Sequence, residues 1–196
     1  MENLKILGSI DPGPKYDIAE KFVQAFTDKY PNAKGELYLG YPIYIDEIAN
    51  RRVCVDMALV SKIGVYIFNI LTEPVTDYGE IQDDIYARVE AKFKKQSFLF
   101  KKRKLVFDFF AVTYTTTSMK EEDDYPLVHN IEEMINFIED TREDEEFSED
   151  LYGKILSGIQ EAYGINIHRE RKEVKEGTKA FAISQMAKQI EKYDSR

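Results

Sequence analysis

Apolar residues follow two different spacings along the chain. In residues 16–30 an apolar or aromatic side chain returns every four positions, which is the spacing of an amphipathic helix that buries one face. The same spacing recurs in residues 81–97, 151–163 and 180–193. Asn130 and Glu133 form the capping-box pattern that opens a further helix, running to about residue 139. The pattern therefore predicts a helix in each of these segments.

Three other segments are dense in β-branched and aromatic residues, which favours strands. They are residues 36–45, 53–71 and 105–114. The second segment has the pattern of two strands joined by a short turn at residues 61–64. The third is an almost unbroken apolar run, typical of a central strand covered on both faces. Because a helix separates the third and fourth strands, their connection crosses the sheet. The sequence thus predicts an α/β fold with a mixed central β-sheet flanked by helices.

Composition narrows the classes of function. The chain has 196 residues and a formal net charge of −9, which favours one domain and argues against nonspecific nucleic-acid binding by the domain as a whole. Its single cysteine, Cys54, excludes a disulfide framework and a cysteine-rich zinc site. No signal peptide and no apolar run of transmembrane length are visible, so we expect a cytoplasmic protein without a membrane partner.

The strand pair in residues 53–71 carries the most informative chemistry. Phosphodiester hydrolysis uses hard cations held by carboxylate oxygens, together with a positive group that holds the phosphate or activates water. Neighbouring strands can supply an Asp and a Glu-x-Lys, because alternate side chains of a strand share a face. Here Asp56 stands on the first strand, but Asn69 and Leu71 stand where the Glu and the Lys would be. Asp56 alone is a poor magnesium site.

This order of elements, with Asp56 on the second strand, resembles the core of PD-(D/E)XK nucleases. More specifically, it resembles the nuclease-related domain at the N-terminus of some bacterial superfamily 1, UvrD-like helicases. The matching features are Glu20 in the first helix, the strand pair VDMALVSKIGVYIFNIL, Gln82 at the start of the next helix, the segment KFKKQSFLFKKRKLVFDFFAVTY, and the final SQMAKQIEKYDSR. The resemblance covers most of residues 16–196. It implies a nuclease-like domain in residues 1–165, followed in residues 166–196 by a charged connector and a helix leading towards a helicase core.

The resemblance further implies a noncatalytic module that engages DNA or regulates the adjoining motor. Glu20, Asp56 and Asn69 would be remnants of a nuclease site and would lie close together, with Asp56 as the candidate metal ligand. We expect no cofactor in this chain, with magnesium bound only if the site is active and ATP only in a full-length helicase. The chain has no Gly-x-x-x-x-Gly-Lys-[Ser/Thr] loop, so it should not be a P-loop ATPase.

A run of cations stands out against the acidic remainder of the sequence. It comprises Lys92, Lys94, Lys95, Lys101, Lys102, Arg103 and Lys104. With the interleaved Phe93, Phe98 and Phe100, these cations could hold phosphates while an aromatic ring stacks on bases. The alternative interpretation is a solvated basic turn that lies above core aromatic residues.

Two other classes of function stay open. An active divalent-metal nuclease would need replacement site residues, for which Glu73, Glu80 and Lys92 are the candidates. A protein-interaction domain would instead use its acidic helices and bind no DNA. The partners expected under the leading hypothesis are DNA and the protein's own helicase core.

Overall fold

The computed structural model describes residues 3–160, apart from the side chains of residues 44–46 and 51. The strands of this part are β1 (Leu4–Gly8), β2 (Gly35–Asp46), β3 (Arg51–Ser61), β4 (Gly64–Leu71), β5 (Phe100–Lys101), β6 (Lys104–Leu105), β7 (Phe110–Thr115) and β8 (Leu127–Val128). The helices are α1 (Pro14–Lys29), α2 (Tyr78–Lys94), α3 (Ile131–Thr141) and α4 (Glu149–Gln160), with a short 3-10 turn at Ser97–Leu99.

Six of the strands form one mixed sheet in the order β1-β2-β3-β4-β7-β8. The pairs β1–β2, β4–β7 and β7–β8 are parallel, whereas β3 is antiparallel to both of its neighbours. Helix α1 connects β1 to β2, and α2 connects β4 to β7, as parallel pairs require. The predicted α/β class and mixed sheet are therefore confirmed.

Helices cover both faces of this sheet and define two cores. On the first face, which we call the α1–α3 face, Phe22 and Phe26 of α1 and Met134 of α3 pack against alternate strand residues such as Phe68. On the second, the α2–α4 face, Val89 of α2 and Ile155 of α4 pack against the intervening strand residues, including Ile67. Strand side chains alternate between these faces, which explains the dense apolar pattern of β3 and β4.

The sheet divides between β3 and β4. Their pairing ends at Met57 and Phe68, whereas the β2–β3 pairing continues as far as Asp46 and Arg51. Residues 41–46 and 51–55 therefore leave the sheet as a two-stranded ribbon, which we call the arm. The side-chain alternation of β2 changes at Gly40, whose φ of 61° lies in the left-handed region, so that Leu39 and Tyr41 pack on opposite faces.

The structure corrects several predicted boundaries. The run of residues 105–114 is not one strand: Leu105 belongs to a small β5–β6 hairpin, and β7 begins only at Phe110. Phe107 and Phe109 are buried against the α2–α4 face, so core packing without strand pairing produced the apolar pattern there. The sequence pattern also missed β1 and β8, which are short.

Other predicted elements are present with shifted ends. Asn130 caps α3 as expected, since its side chain accepts a hydrogen bond from the backbone amide of Glu133 at 2.9 Å. Helix α2 begins at Tyr78 rather than at residue 81, with Asp77 as its cap. The predicted connector and last helix, and with them the whole of the predicted segment 166–196, lie outside the described residues. No helix of residues 3–160 is both long and apolar enough to cross a membrane.

Candidate nucleic-acid interface

Asp56 holds the sheet together where β3 and β4 separate. Its Oδ2 accepts a hydrogen bond from the backbone amide of Ile70 at 2.6 Å, and its Oδ1 lies 3.0 Å from Nζ of Lys15 in the first turn of α1. The carboxylate thus replaces the strand partner that the Ile70 amide lacks beyond the end of the ladder. Both oxygens are engaged, and the side chain is only 13% exposed. This arrangement gives Asp56 a structural role.

Asn69 lies in a depression on the other face of the sheet. Its neighbours Phe68 and Ile70 belong to the α1–α3 core, so the Asn69 side chain leaves towards α2. There it lines a cavity of about 390 Å³ together with Cys54 of β3 and Glu80 and Asp84 of α2. Nε of Arg88 lies 2.9 Å from an oxygen of Asp84, which engages one of the two carboxylates in an ion pair.

Glu20 lies at a different cavity from Asn69. It borders a cavity of about 700 Å³ between α1 and the β1–β2 edge, together with Ile6 and Leu39. Glu20 and Asn69 line different cavities, and Asp56, which accepts from the amide of the residue after Asn69, is among the lining residues of neither. The irregularity at Gly40 and Asp56 turns the Asp56 side chain towards α1, while Asn69 follows the regular alternation of β4. Within residues 3–160 no three His, Cys, Asp or Glu side chains form a potential metal site.

The other proposed replacement residues lie apart from one another. Glu80 shares the cavity of Asn69, whereas Glu73 is exposed in the loop before α2. Gln82, which the resemblance singles out, is buried: its amide nitrogen donates to the carbonyl oxygen of Ala111 at 2.7 Å, and its amide oxygen accepts from the hydroxyl of Thr113 at 2.8 Å. These bonds fasten α2 to β7, so Gln82 has a structural role.

The basic hairpin, residues 100–105, carries four of the predicted cations. Lys101 and Lys104 are cross-strand partners, and Lys102 and Arg103 form the two-residue loop between them. All four side chains are exposed. The structure gives none of the four an ion pair with any residue of the described range 3–160.

Three features of this hairpin are unfavourable for stability. Lys102 has a φ of 50° and Arg103 a φ of 66°, so both occupy the left-handed region that two-residue hairpin loops usually fill with Asn or Gly. Like charges on directly opposed residues, as at Lys101 and Lys104, also destabilise a strand pair. Strained backbone tends to occur at functional sites. The hairpin therefore keeps its strained loop and its four cations at a cost in stability.

The remaining three predicted cations have different environments. Lys95 is exposed, whereas Nζ of Lys94 lies 3.0 Å from an oxygen of Glu90 and 5.6 Å from the centroid of the Phe100 ring. Nζ of Lys92 donates to the backbone carbonyl of Pro42 at 3.1 Å and lies 5.6 Å from the ring centroid of Tyr41. The Lys92 side chain is half-buried and connects α2 to the arm.

The charge of Lys92 is disfavoured where it lies. Burial first, and then the neighbouring charges of Lys95 and Arg52, lower the pKa of Lys92 to about 8, while Cys54 acts in the opposite sense. Arg52, in the arm, is therefore close enough to Lys92 to belong to the same basic cluster. Sequence inspection missed Arg52 because forty residues separate it from Lys92 and only the β2–β3 ribbon brings the two together.

The three aromatic residues predicted to stack on bases differ in how far their rings are exposed. Phe93 is 1% exposed and packs with Phe107 and Phe109 in the core. The Phe100 ring lies beneath Lys94. Phe98, at 37% exposure, presents a partly open ring beside the basic hairpin. Of these three, Phe98 is the one that a base could reach.

Comparison with protein-family models, with curated proteins and with solved structures finds no match to this chain.

Proposed function

We propose that this chain is a noncatalytic, nuclease-derived module that engages DNA through the basic hairpin. One observation carries the proposal: four exposed cations without an ion pair in the described range occupy a strained hairpin, although the chain as a whole has a net charge of −9. Phosphate oxygens would relieve the repulsion between these cations, and binding would release counterions from the DNA. The exposed ring of Phe98 would stack on a base beside them.

The order of the elements supports descent from a nuclease. Helix α1, the antiparallel strands β2, β3 and β4, helix α2 and the parallel strand β7 follow the order that the resemblance to PD-(D/E)XK nucleases implies. The side chains support the loss of catalysis. Asp56 is engaged by Lys15 and by the amide of Ile70, and Asn69 faces a different cavity.

The hairpin can be tested by replacing Lys101, Lys102, Arg103 and Lys104 together by Ser. Affinity for a fluorescent single-stranded oligonucleotide should fall steeply, and the slope of log K against log salt should shrink by about one unit for each lost phosphate contact. Fluorescence anisotropy at several salt concentrations measures both quantities. The fold should survive, since all four side chains are exposed.

A matched control separates the hairpin from net charge. Replacing Lys21, Lys29, Lys120 and Lys154 by Ser changes the charge by the same amount at other exposed or partly exposed positions. This variant should keep most of the affinity and the salt slope of the original chain. Equal losses in the two variants would refute a dedicated hairpin site. Absence of binding by the original chain at low salt would favour a protein-interaction domain instead.

The helicase context is part of the same proposal. A module of this kind would act beside a UvrD-like motor, by holding DNA near the motor or by regulating it. Reading the coding sequence beyond the codon for Arg196 tests this context: a Gly-x-x-x-x-Gly-Lys-[Ser/Thr] motif should follow. A stop codon at that point would remove the helicase from the proposal and leave the DNA-binding module.

A second function, metal-dependent cleavage, has one observation in its favour. Asn69, Glu80 and Asp84 line the same cavity and together offer carboxylate and amide oxygens, which are suitable ligands for magnesium. Incubation of supercoiled plasmid with Mg²⁺ or Mn²⁺ tests it. Under the leading proposal no nicking should appear. Nicking that is lost in both Glu80→Gln and Asp84→Asn variants would instead establish a nuclease with displaced ligands.

A further inference from the structure

Strand β1 is an open edge of the central sheet. Among the described residues 3–160, it pairs with β2 on one side and with no strand on the other. The backbone amide of Gly35 donates to the carbonyl oxygen of Asn3 at 3.1 Å, so the backbone polar groups of Asn3 point towards β2. Because these groups alternate in direction along a strand, the N–H and C=O groups of Leu4 and Ile6 point away from β2. The edge therefore offers hydrogen-bonding groups to a further strand.

The opposite edge of the sheet is protected, whereas β1 is not. Strand β8 has only two residues, Leu127–Val128, and Pro126, which has no backbone N–H, directly precedes it. Strand β1 has five residues and no proline, and its middle residue Ile6 is 44% exposed. Ile6 and Leu39 also line the cavity of about 700 Å³ beside α1, where the ring of Tyr16 is partly exposed. An exposed apolar side chain and outward backbone groups therefore coincide at β1, as they do where proteins add a strand to a sheet.

A second copy of the chain fits this edge in one antiparallel register. If a two-fold axis passes between the two Ile6 residues, they form a hydrogen-bonded pair, which the outward direction of their N–H and C=O groups allows. Leu4 then lies opposite Gly8 of the second copy, and Lys5 lies opposite Leu7 of the second copy. No like charges oppose each other in this register. An axis between the two Lys5 residues would instead place their charges directly opposite, which is unfavourable.

The charges near this edge also allow two copies to approach each other. Lys5 is the charged residue of β1, and its Nζ lies 3.9 Å from an oxygen of Glu36 on the neighbouring strand. The charged residues that line the cavity are one acidic and one basic residue, Glu20 and Lys21. The edge thus carries little net charge, although the whole chain has a net charge of −9. Local repulsion therefore does not oppose apolar contact between the copies.

We propose that β1 is the contact between two copies of this chain, whose six-stranded sheets join into one continuous sheet through antiparallel β1 strands. Such an interface is symmetric, because the same strand contributes from both copies. The two Ile6 side chains meet on the α1–α3 face and cover part of the cavity in each copy. The inference is independent of the proposed function, since none of the residues that carry it belongs to the basic hairpin.

Sedimentation velocity of the full chain over a range of micromolar concentrations tests the proposal. The original chain should approach twice the monomer mass as its concentration rises. Ile6→Lys places like charges opposite each other at the two-fold axis and removes apolar contact, so its dissociation constant should rise by about tenfold or more. The matched control is Ile48→Lys, because Ile48 is fully exposed in the turn between β2 and β3. This control should dimerise like the original chain.

An exchange of charge tests the two-fold axis itself. Ile6→Glu should weaken the dimer as Ile6→Lys does, because each variant opposes like charges in its own dimer. An equimolar mixture of the two variants should form a mixed dimer, in which opposite charges face each other. Circular dichroism of each variant verifies that the compared proteins are folded. If both folded variants remain monomeric in the mixture, the pairing centred on Ile6 is refuted.

Amide hydrogen exchange measured by NMR identifies any other occupant of the edge. The outward amides of Leu4 and Ile6 should be protected in the dimer and should exchange faster when dilution dissociates it. Protection that persists in a monomeric original chain would mean that another segment of the same chain fills the edge. Rapid exchange in a chain that stays monomeric at every concentration would mean that the edge is open. Either result refutes the second copy, and so does a dimer that Ile6→Lys leaves intact.

Discussion

Two regions of this molecule differ in whether their charged side chains have partners among the described residues. On the α1–α3 side, Asp56 is engaged by Lys15 and by a backbone amide, so both of its carboxylate oxygens have a partner. On the α2–α4 side, the basic hairpin presents four cations that the described residues leave without an ion pair. The first region contributes to the stability of the fold. The second is unfavourable for stability, because it combines a strained loop with opposed like charges.

The comparison also explains how an acidic chain can present a local cluster of positive charge. Acidic side chains pair elsewhere, for example Glu149 with Lys34 at 3.4 Å and with Lys62 at 3.1 Å, so paired lysines add little positive potential. The net charge of the chain therefore says less about its partners than the location of the unpaired charges does.

The largest expected effect comes from removing Asp56. Asp56→Ala leaves the Ile70 amide without its acceptor and Lys15 without its partner, which should lower the free energy of unfolding by about 2 kcal/mol in a urea titration. Lys15→Met, which removes only a partly exposed ion pair, should cost less than about 1 kcal/mol. DNA affinity should be unchanged in both variants while they remain folded. Loss of DNA binding in folded Asp56→Ala would break the division between the two regions.

The next effect tests the strain in the hairpin. Replacing Lys102 by Asn and Arg103 by Gly puts residues suited to positive φ into the loop and removes two like charges. The double variant should be more stable than the original chain by about 1 kcal/mol, because each unfavourable left-handed residue is relieved. It should also bind DNA more weakly. A variant that is both less stable and equally tight in binding would show that neither strain nor charge matters here.

Much of the fold follows from local patterns in the sequence. The helices and the strands of the central meander were predictable because each buries one periodic stripe or an entire apolar run. Leu105 and Phe107 show the limit of this approach. Both are apolar and adjacent to β7, yet one lies in a hairpin and the other packs on the core outside any strand. Apolar content reports burial, whereas strand pairing depends on partners distant in sequence.

The site was less predictable for a related reason. The hairpin cations are visible in the sequence as a consecutive run. Lys92 is half-buried whereas Lys101 is exposed, and this difference depends on the packing of α2 against the arm. The direction of Asp56 depends on an irregularity that spans β2 and β3, with Gly40 as its only local signal. Strand register alone places the side chains of Asp56 and Asn69 on the same face of the sheet, whereas a single change of face turns that of Asp56 towards α1.

A smaller effect concerns the cost of charging Lys92 in the folded state. Its pKa falls from the ordinary lysine value of 10.5 to about 8 on folding, so the unfolded chain binds more protons between these pH values. Stability should therefore rise as the pH increases from 8 towards 10.5. Lys92→Met should raise the melting temperature at pH 7, and the advantage over the original chain should narrow by pH 9.5. An advantage that stays constant with pH would mean that shape, rather than charge, sets the difference.

The smallest expected effect belongs to the paired lysines, and it tests the comparison most directly. Lys34 and Lys62 already pair with Glu149, whereas Lys102 and Arg103 have no such partner in the described range. Replacing Lys34 and Lys62 by Ser should change DNA affinity by less than about twofold, whereas replacing Lys102 and Arg103 by Ser should lower it by about tenfold or more at low salt. Both double variants change the net charge equally, so anisotropy titrations compare pairing rather than charge. Equal losses would mean that DNA responds only to the total charge of the chain, and that the hairpin is a solvated basic turn.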